Sequence, residues 1–111
     1  MKKTALFSSF DDLDIRVGRV VTAEEARTTK PTYRLTIDFG PEVGTKRSCG
    51  AFRNYPADAL VGRLVIGVVN FSPKQMGPEI SEVLVLGVTN QAGQTIYLTP
   101  ESDVELGAAV F

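Results

Sequence analysis

"NYPADALVG", residues 54–62, is the stretch of sequence that decides the fold. Pro56 suits the first position of a helix, because its missing amide donor would have no partner there. Alanine and leucine favour helix, and Gly62 supplies the left-handed residue that commonly ends one. We therefore predict a helix of about two turns, which needs tertiary packing because so short a helix is unstable alone.

Strand-like segments precede this helix, and the clearest of them is "YRLTIDFG", residues 33–40. Its apolar and polar side chains alternate, which predicts a half-buried strand that ends at Gly40 and Pro41. The inward face would carry Tyr33, Leu35, Ile37 and Phe39. "TKRSCGAF", residues 45–52, predicts a weaker third strand, joined to the second as a hairpin around "GPEVG".

"LDIRVGRVVTA", residues 13–23, predicts the first strand. Ile15 and Val17 share one face, whereas Val20 has the opposite parity. We expect a bulge at Gly18, because one extra residue at this position would return Val20 to the inward face.

Two apolar runs follow the helix, "RLVIGVVNF" at 63–71 and "SEVLVLGV" at 81–88, and predict strands four and five, with "TIYLT" at 95–99 as a short sixth. Short strands with turn signals and one helix between the third and fourth strands are typical of the five-stranded Greek-key barrel called the OB-fold. A chain of 111 residues suits one domain. We predict an all-β protein: a single OB-fold domain over residues 1–111, with the short helix between strands 3 and 4 and extensions at both chain ends.

The fourth and fifth strands are apolar on both faces, which exceeds what a solitary barrel needs. Leu64, Ile66 and Val68 occupy one face of the fourth strand, while Val65 and Val69 occupy the other. Antiparallel strands normally alternate apolar and polar residues, so the second face must be covered. The chain's own terminal segments or a second subunit could do so, and we expect a homodimer.

The composition excludes most catalytic chemistry. The sequence has no histidine, and its one cysteine, Cys49, cannot form an internal disulfide or a zinc cluster. No Gly-rich phosphate-binding loop is present. For Asp11, Asp12 and Asp14 we favour a solvated helix entry over a calcium loop, which needs more oxygen ligands at fixed spacing. We expect a non-enzymatic protein with no metal and no cofactor.

The chain start imitates the charged region of a secretory signal, but the apolar stretch after it ends with Ala5, Leu6 and Phe7. The other apolar runs are far shorter than the ~20 residues that span a bilayer. We expect a cytoplasmic protein without membrane insertion.

Charge is unevenly distributed along the chain. Residues 16–74 hold ten basic and five acidic side chains, whereas residues 75–111 hold five acids and no base. Two arrangements remain open at this point. The basic residues could gather on one face, as an anionic partner such as RNA requires, or they could pair with the acidic segment and cancel.

Several motifs carry a family resemblance. "LDIRVGRV" at 13–20, "IDFG" at 37–40 and "NFSPKQMGPEISEVLVLG" at 70–87 resemble the tRNA-binding OB-domain superfamily, which includes C-terminal domains of some methionyl-tRNA synthetases. "KPTYRLTIDFG" and "SEVLVLG" look most similar to the CsaA-type export-related chaperones. The resemblance implies a non-catalytic homodimer that is built through the chain ends. CsaA-type members bind unfolded preproteins, and the wider superfamily binds tRNA by its shape.

The resemblance also points to the connector between strands four and five as a binding loop. Its Asn-x-x-Pro-Lys-x-Met pattern corresponds to Asn70, Pro73, Lys74 and Met76, and Ser81 follows. OB-folds bind ligands near strands two and three and between the rim loops. Lys74 would offer a point charge and Met76 an adaptable apolar contact. The second and third strands or their ends would add the basic residues Arg34, Arg47 and Arg53.

Other interpretations of these residues remain open. Asn70 would serve as a side-chain bridge that ends a strand rather than as a ligand contact. Met76 could cap the barrel end, and Lys74 could be solvated. Tyr33 shares its parity with Leu35, which favours its burial over base stacking.

Two functions compete. The first is a homodimeric chaperone that binds unfolded or exported preproteins in protein secretion. The second is a structure-specific tRNA-binding protein. Where many tRNA binders continue Ser-x-Gly-Met, this chain has Ser81, Glu82, Val83 and Leu84, a departure that disfavours strong tRNA affinity.

Overall fold

The computed structural model describes residues 1–50 and 52–111. The elements are α1 (Phe7–Asp11), β1 (Ile15–Glu25), β2 (Tyr33–Asp38), α2 (Gly40–Val43), β3 (Thr45–Gly50), α3 (Ala57–Leu60), β4 (Leu64–Val68), β5 (Lys74–Met76), β6 (Glu79–Ser81), β7 (Leu84–Val85), β8 (Gly87–Thr89) and β9 (Thr95–Tyr97). Strands dominate these elements, and the short helices among them all precede β4. Ala51, which the sequence placed in the third strand, lies outside the described residues.

Five antiparallel strands form the main sheet in the order β3-β2-β1-β4-β7. The two ends of this sheet come together, because the Glu82 amide donates to the Arg47 carbonyl at 2.8 Å. The Cys49 amide also donates to Oγ of Ser81 at 3.2 Å. The result is a nearly closed barrel with α3 between its third and fourth strands. The predicted all-β OB-fold is confirmed.

The helix between β3 and β4 is shorter than predicted. Pro56 precedes α3 as its N-cap, and Val61 is already extended, so the helix makes a single turn. Leu60 is buried in the core and anchors this turn. Gly62 has a φ of +88° and donates its amide to the Val20 carbonyl at 2.8 Å. This bond directs the chain into β4.

The predicted bulge at Gly18 is wrong. Pairing of β1 with β4 is regular from Ile15 to Arg19, and the irregularity in β1 falls between Val20 and Thr22 instead. A Cβ on Gly18 would lie 2.7 Å from a methyl group of Ile37. Gly18 therefore faces the interior with Val20, and Ile15 and Val17 face outward.

The core fills the barrel with side chains from β1, β2, β4 and the flanking segments. Its most completely buried members are Phe39, Leu35, Ile37, Leu60, Val20 and Val65. The alternation predicted for β2 is confirmed, since its buried and half-buried residues follow one another without a break. Tyr33 is buried, as its parity predicted, and donates its hydroxyl to the Tyr55 carbonyl at 2.9 Å.

The outer apolar face is covered by the chain itself over much of its area. Ile15, Val17, Leu64 and Val68 are all buried within one chain. The C-terminal segment lies along β1, where the Val17 amide donates to the Ala108 carbonyl at 3.0 Å and the Val110 amide to Ile15 at 2.8 Å. Of the two coverings that the sequence left open, the chain's own terminus therefore provides one.

The connector between the fourth and fifth predicted strands is a β-hairpin rather than a loop. Strands β5 and β6 pair through Lys74 with Ser81 and Met76 with Glu79, around a turn at Gly77. Gly77 has a φ of +62°. The predicted fifth strand is divided, since β7 pairs with β4 whereas β8 pairs with β9. Within residues 1–50 and 52–111, no helix has the length and apolarity to cross a membrane.

Candidate ligand-binding groove

A groove of about 470 Å³ lies between β3, the β5–β6 hairpin and the strand segment of β7 and β8. Its wall includes Ser48, Cys49, Phe52, Lys74, Met76, Ser81, Val83, Leu84 and Val88. A second cleft of about 250 Å³ shares four of its lining residues with the first and is also lined by Phe71. We call the two clefts together the barrel-edge groove.

The barrel-edge groove is mainly apolar because the segment around β7 is aliphatic on both faces of the strand. Val83 and Val85 point inward and are buried, whereas Leu84 remains 51% exposed. Val88 at 54% continues this exposed face. Large aliphatic side chains in a concave surface are typical of binding grooves.

The hairpin carries three of the predicted site residues into this groove. Lys74, Met76 and Ser81 all line it. The exposed Pro73 directly precedes the hairpin. Oγ of Ser81 also donates to the Val83 carbonyl at 3.4 Å, in addition to accepting the Cys49 amide. Ser81 therefore joins the hairpin, β3 and the segment before β7.

Asn70 lies outside the lining of the groove. Its Oδ1 accepts the Asp14 amide at 2.8 Å, and its Nδ2 donates to the Asp12 carbonyl at 2.9 Å. These bonds tie the end of β4 to the segment between α1 and β1. In the structure, Asn70 forms the side-chain bridge that was one of its two interpretations.

Carboxylates hold two of the three predicted arginines. Nη1 of Arg34 lies 2.8 Å and 3.0 Å from the two carboxylate oxygens of Glu79, and Nη2 lies 3.2 Å from Glu24. Arg53 pairs with Glu25, and its guanidinium lies 4.9 Å from the centre of the Tyr33 ring. The carbonyl and amide of Arg47 bond to Glu82, and its side chain is exposed.

Glu79 is a central residue that the sequence did not single out. It is 6% exposed. Besides the bonds from the Arg34 guanidinium, the Glu79 carboxylate accepts a hydrogen bond from the Arg27 amide at 3.2 Å. The Arg27 amide and the Arg34 guanidinium hold the pKa of the Glu79 carboxyl below its usual value. Glu79 therefore stays charged and joins the hairpin to β2 and to the chain after β1.

The pairing of Glu79 with Arg34 bears on the two charge arrangements that the sequence left open. Glu79 belongs to the acidic segment 75–111, and Arg34 belongs to the basic segment 16–74. The charges of the two segments therefore cancel at this point of the surface. The opposite net charges of the two segments were visible in the sequence. The sequence did not show which acidic residue pairs with which basic residue.

Cys49 forms part of the groove wall and is half-buried. Burial raises the pKa of its thiol, with the nearby Glu79 acting in the same direction. The thiol is thus neutral at pH 7, as is usual for a cysteine that packs as a small apolar residue. In the part of the chain that the structure describes, no group of acidic or cysteine side chains could hold a metal ion.

A nearly closed five-stranded barrel with a groove at its edge defines a class of binding domain. Residues 15–109 match the family described as "Putative tRNA binding domain", and the chain belongs to this family. Among solved structures it is similar to the chaperone CsaA of Bacillus anthracis, with 39% identity and a TM-score of 0.92 over 98% of this chain and 100% of that one. The CsaA chaperone of Picrophilus torridus gives 38% identity and a TM-score of 0.92, over 97% and 100% of the two chains. The resemblance to CsaA-type chains is confirmed.

Curated relatives include much longer proteins. The methionine–tRNA ligase of Archaeoglobus fulgidus is 37% identical over 110 residues, which are 98% of this chain and 16% of the ligase. That of Chloroherpeton thalassium is 33% identical over 99% of this chain and 16% of the ligase. The chain thus spans less than a fifth of the ligases that it matches.

Proposed function

We propose that this protein is a non-enzymatic homodimeric chaperone that binds extended, unfolded segments of exported polypeptides in the barrel-edge groove. The observation that carries the proposal is the exposed aliphatic lining of a concave surface, at Leu84 and Val88. The similarity to chains named as CsaA chaperones supports it.

The hairpin supplies the other contacts that an extended polypeptide needs. Met76 has an unbranched, flexible side chain that adapts to different apolar partners. The Lys74 ammonium donates to carbonyl oxygens or a carboxylate without requiring one geometry. Pro78 restricts the turn and Gly77 adopts the positive φ that the turn needs, so that little conformational entropy is lost when a ligand binds.

The N-terminal helix supports a second copy of the chain as partner. Helix α1 has five residues, none of which is buried. Phe7 is 77% exposed, Phe10 is also exposed, and their ring centroids lie 6.2 Å apart. A single helical turn with two solvated aromatic rings is unstable in water. Burial of these rings against another subunit would stabilise the turn.

The decisive test compares two apolar-to-polar substitutions of similar exposure. Leu84→Ser removes a groove side chain, and Val61→Ser, at a position 46% exposed beyond α3, is the control. A bound client would bury Leu84. Loss of this contact in the Leu84→Ser variant should weaken binding of an unfolded client about tenfold. Light scattering of a denatured client measures suppression of aggregation, and isothermal calorimetry with a reduced, unfolded polypeptide measures affinity.

Wild-type protein in excess should suppress aggregation at moderate salt, and Val61→Ser should match it. Unchanged client aggregation with wild type, or equal activity of the two variants, would contradict the proposal.

Binding of tRNA is the second candidate function, and the family match favours it. Lys74 and Arg47 provide exposed cations at the hairpin and on β3. The affinity for tRNA should then fall steeply as the salt concentration rises. Lys74→Ala should make the slope of log K against log salt shallower by about one, as expected for the loss of one phosphate contact. A fluorescence anisotropy titration measures both. Absence of binding at low salt would remove this candidate.

A further inference from the structure

We propose that Glu24, Glu25 and Glu79 form a carboxylate screen at the surface around Arg34 and Arg53. The three carboxylates set the ligand selectivity of this surface, because they occupy the arginines that would otherwise bind phosphates. The screen disfavours RNA relative to polypeptide. This selectivity towards polypeptide rests on the proposed function.

Arg34 shows the screen most clearly. An arginine recognises phosphate through two parallel N–H bonds from its planar guanidinium. In this structure both carboxylate oxygens of Glu79 accept from Nη1, and Glu24 accepts from Nη2. A phosphate could reach Arg34 after displacing one of these carboxylates. Displacement of Glu79 would leave a buried charge without its partner, which is strongly unfavourable.

Arg53 is held in a different way. Its guanidinium pairs with Glu25 and lies against the Tyr33 ring. The ring contact and the ion pair together hold a long side chain in one orientation. Stacking of an RNA base on Tyr33 is also prevented, because this ring is buried.

The screen is built into the register of the sheet. Pairing of β1 with β2 places Glu24 opposite Arg34 and Glu25 opposite Tyr33. Opposite charges at directly facing strand positions attract each other across the ladder. The pair of Glu24 with Arg34 therefore follows from backbone geometry, whereas Glu79 arrives from a hairpin 45 residues further along the chain.

The test uses glutamine variants that each remove one negative charge. Glu24→Gln, Glu25→Gln and Glu79→Gln are compared with Glu101→Gln, which changes the net charge equally. Glu101 lines a separate cleft with Arg19 and Arg63. Anisotropy with an unfractionated tRNA mixture is recorded over a salt series, and circular dichroism with thermal melting checks that each variant is folded.

We expect Glu79→Gln and Glu25→Gln to raise tRNA affinity about tenfold at low salt, because each releases an arginine for a phosphate contact. The slope of log K against log salt should steepen by about one in these variants and stay unchanged in Glu101→Gln. The Glu25 side chain is exposed, so Glu25→Gln carries the test even where Glu79→Gln does not fold. In Glu24→Gln the Glu79 carboxylate still occupies Arg34, so we expect little change of tRNA affinity in this variant.

Equal affinities and slopes for the screen variants and Glu101→Gln would overturn the inference. Client aggregation with the wild-type protein is measured in parallel and separates the two proposals. If wild type fails to suppress aggregation while the screen variants gain tRNA affinity, the chaperone function is wrong and the screen stands.

Discussion

At the scale of single residues, Gly18 shows how one missing side chain permits the core. A Cβ atom added to Gly18 would lie 2.7 Å from Cγ2 of Ile37 and 2.7 Å from Cδ1 of Phe39. Both neighbours are completely buried, so neither can move aside without disturbing the interior. Glycine at this position therefore permits close packing inside the barrel.

We predict that Gly18→Ala lowers the free energy of unfolding by about 1–3 kcal/mol, the usual effect of overpacking a core. Chemical denaturation measures it. The effect should shrink in a Phe39→Leu background, where the smaller side chain leaves room for the added methyl group. Strictly additive costs of the two substitutions would show that Gly18 and Phe39 do not compete for the same space.

At the scale of elements, the β5–β6 hairpin determines the shape of the barrel-edge groove. Its strands have three residues each, and so small a hairpin is marginal by itself. The Glu79 carboxylate joins it to β2, and Ser81 joins it to β3. These two attachments hold Lys74 and Met76 at the groove.

We predict that Gly77→Ala weakens client binding several-fold, because the φ of +62° at Gly77 strains any residue with a Cβ and the hairpin must adjust. Gly62→Ala is the control, since Gly62 also has a positive φ, at +88°, and open space around it, but lies after α3. Each substitution should cost about 1–2 kcal/mol of backbone strain. Calorimetric titration with an unfolded polypeptide distinguishes them, and equal affinities would contradict the role of the hairpin.

At the scale of the whole molecule, some apolar faces are covered by the chain itself and others are not. The outer face of β1 and β4 is buried within the chain, partly through the C-terminal segment. The aromatic face of α1 and the aliphatic face at Leu84 and Val88 remain exposed. We assign the first exposed region to a second subunit and the second to a ligand.

This assignment predicts that dimerisation and client binding can be separated. The double variant Phe7→Ser, Phe10→Ser should sediment as a monomer at micromolar concentration, because it lacks the two rings that we assign to the subunit interface. Phe71→Ser removes an exposed ring of the groove lining and should remain dimeric while client affinity falls. Analytical ultracentrifugation gives the oligomeric state. A monomeric wild type, or a double variant that stays dimeric, would contradict the assignment.

Much of the fold follows from local sequence signals. The alternation in "YRLTIDFG" predicted β2 and its buried side chains, and "NYPADALVG" placed one helix between the third and fourth strands. These signals are readable because side-chain periodicity and turn chemistry depend on neighbouring residues. The same reasoning missed the β5–β6 hairpin, whose three-residue strands are too short to show a period.

The amino-acid sequence by itself determined the barrel, the connector that carries Lys74, Met76 and Ser81, and the family. Tertiary structure alone decided that Gly18 packs against Phe39, that the C-terminal segment covers β1, and that Glu79 occupies Arg34. Local patterns state which face a residue takes, whereas these contacts join positions far apart in the chain. Closure of the barrel selects one such pairing from many, and no local period encodes that choice.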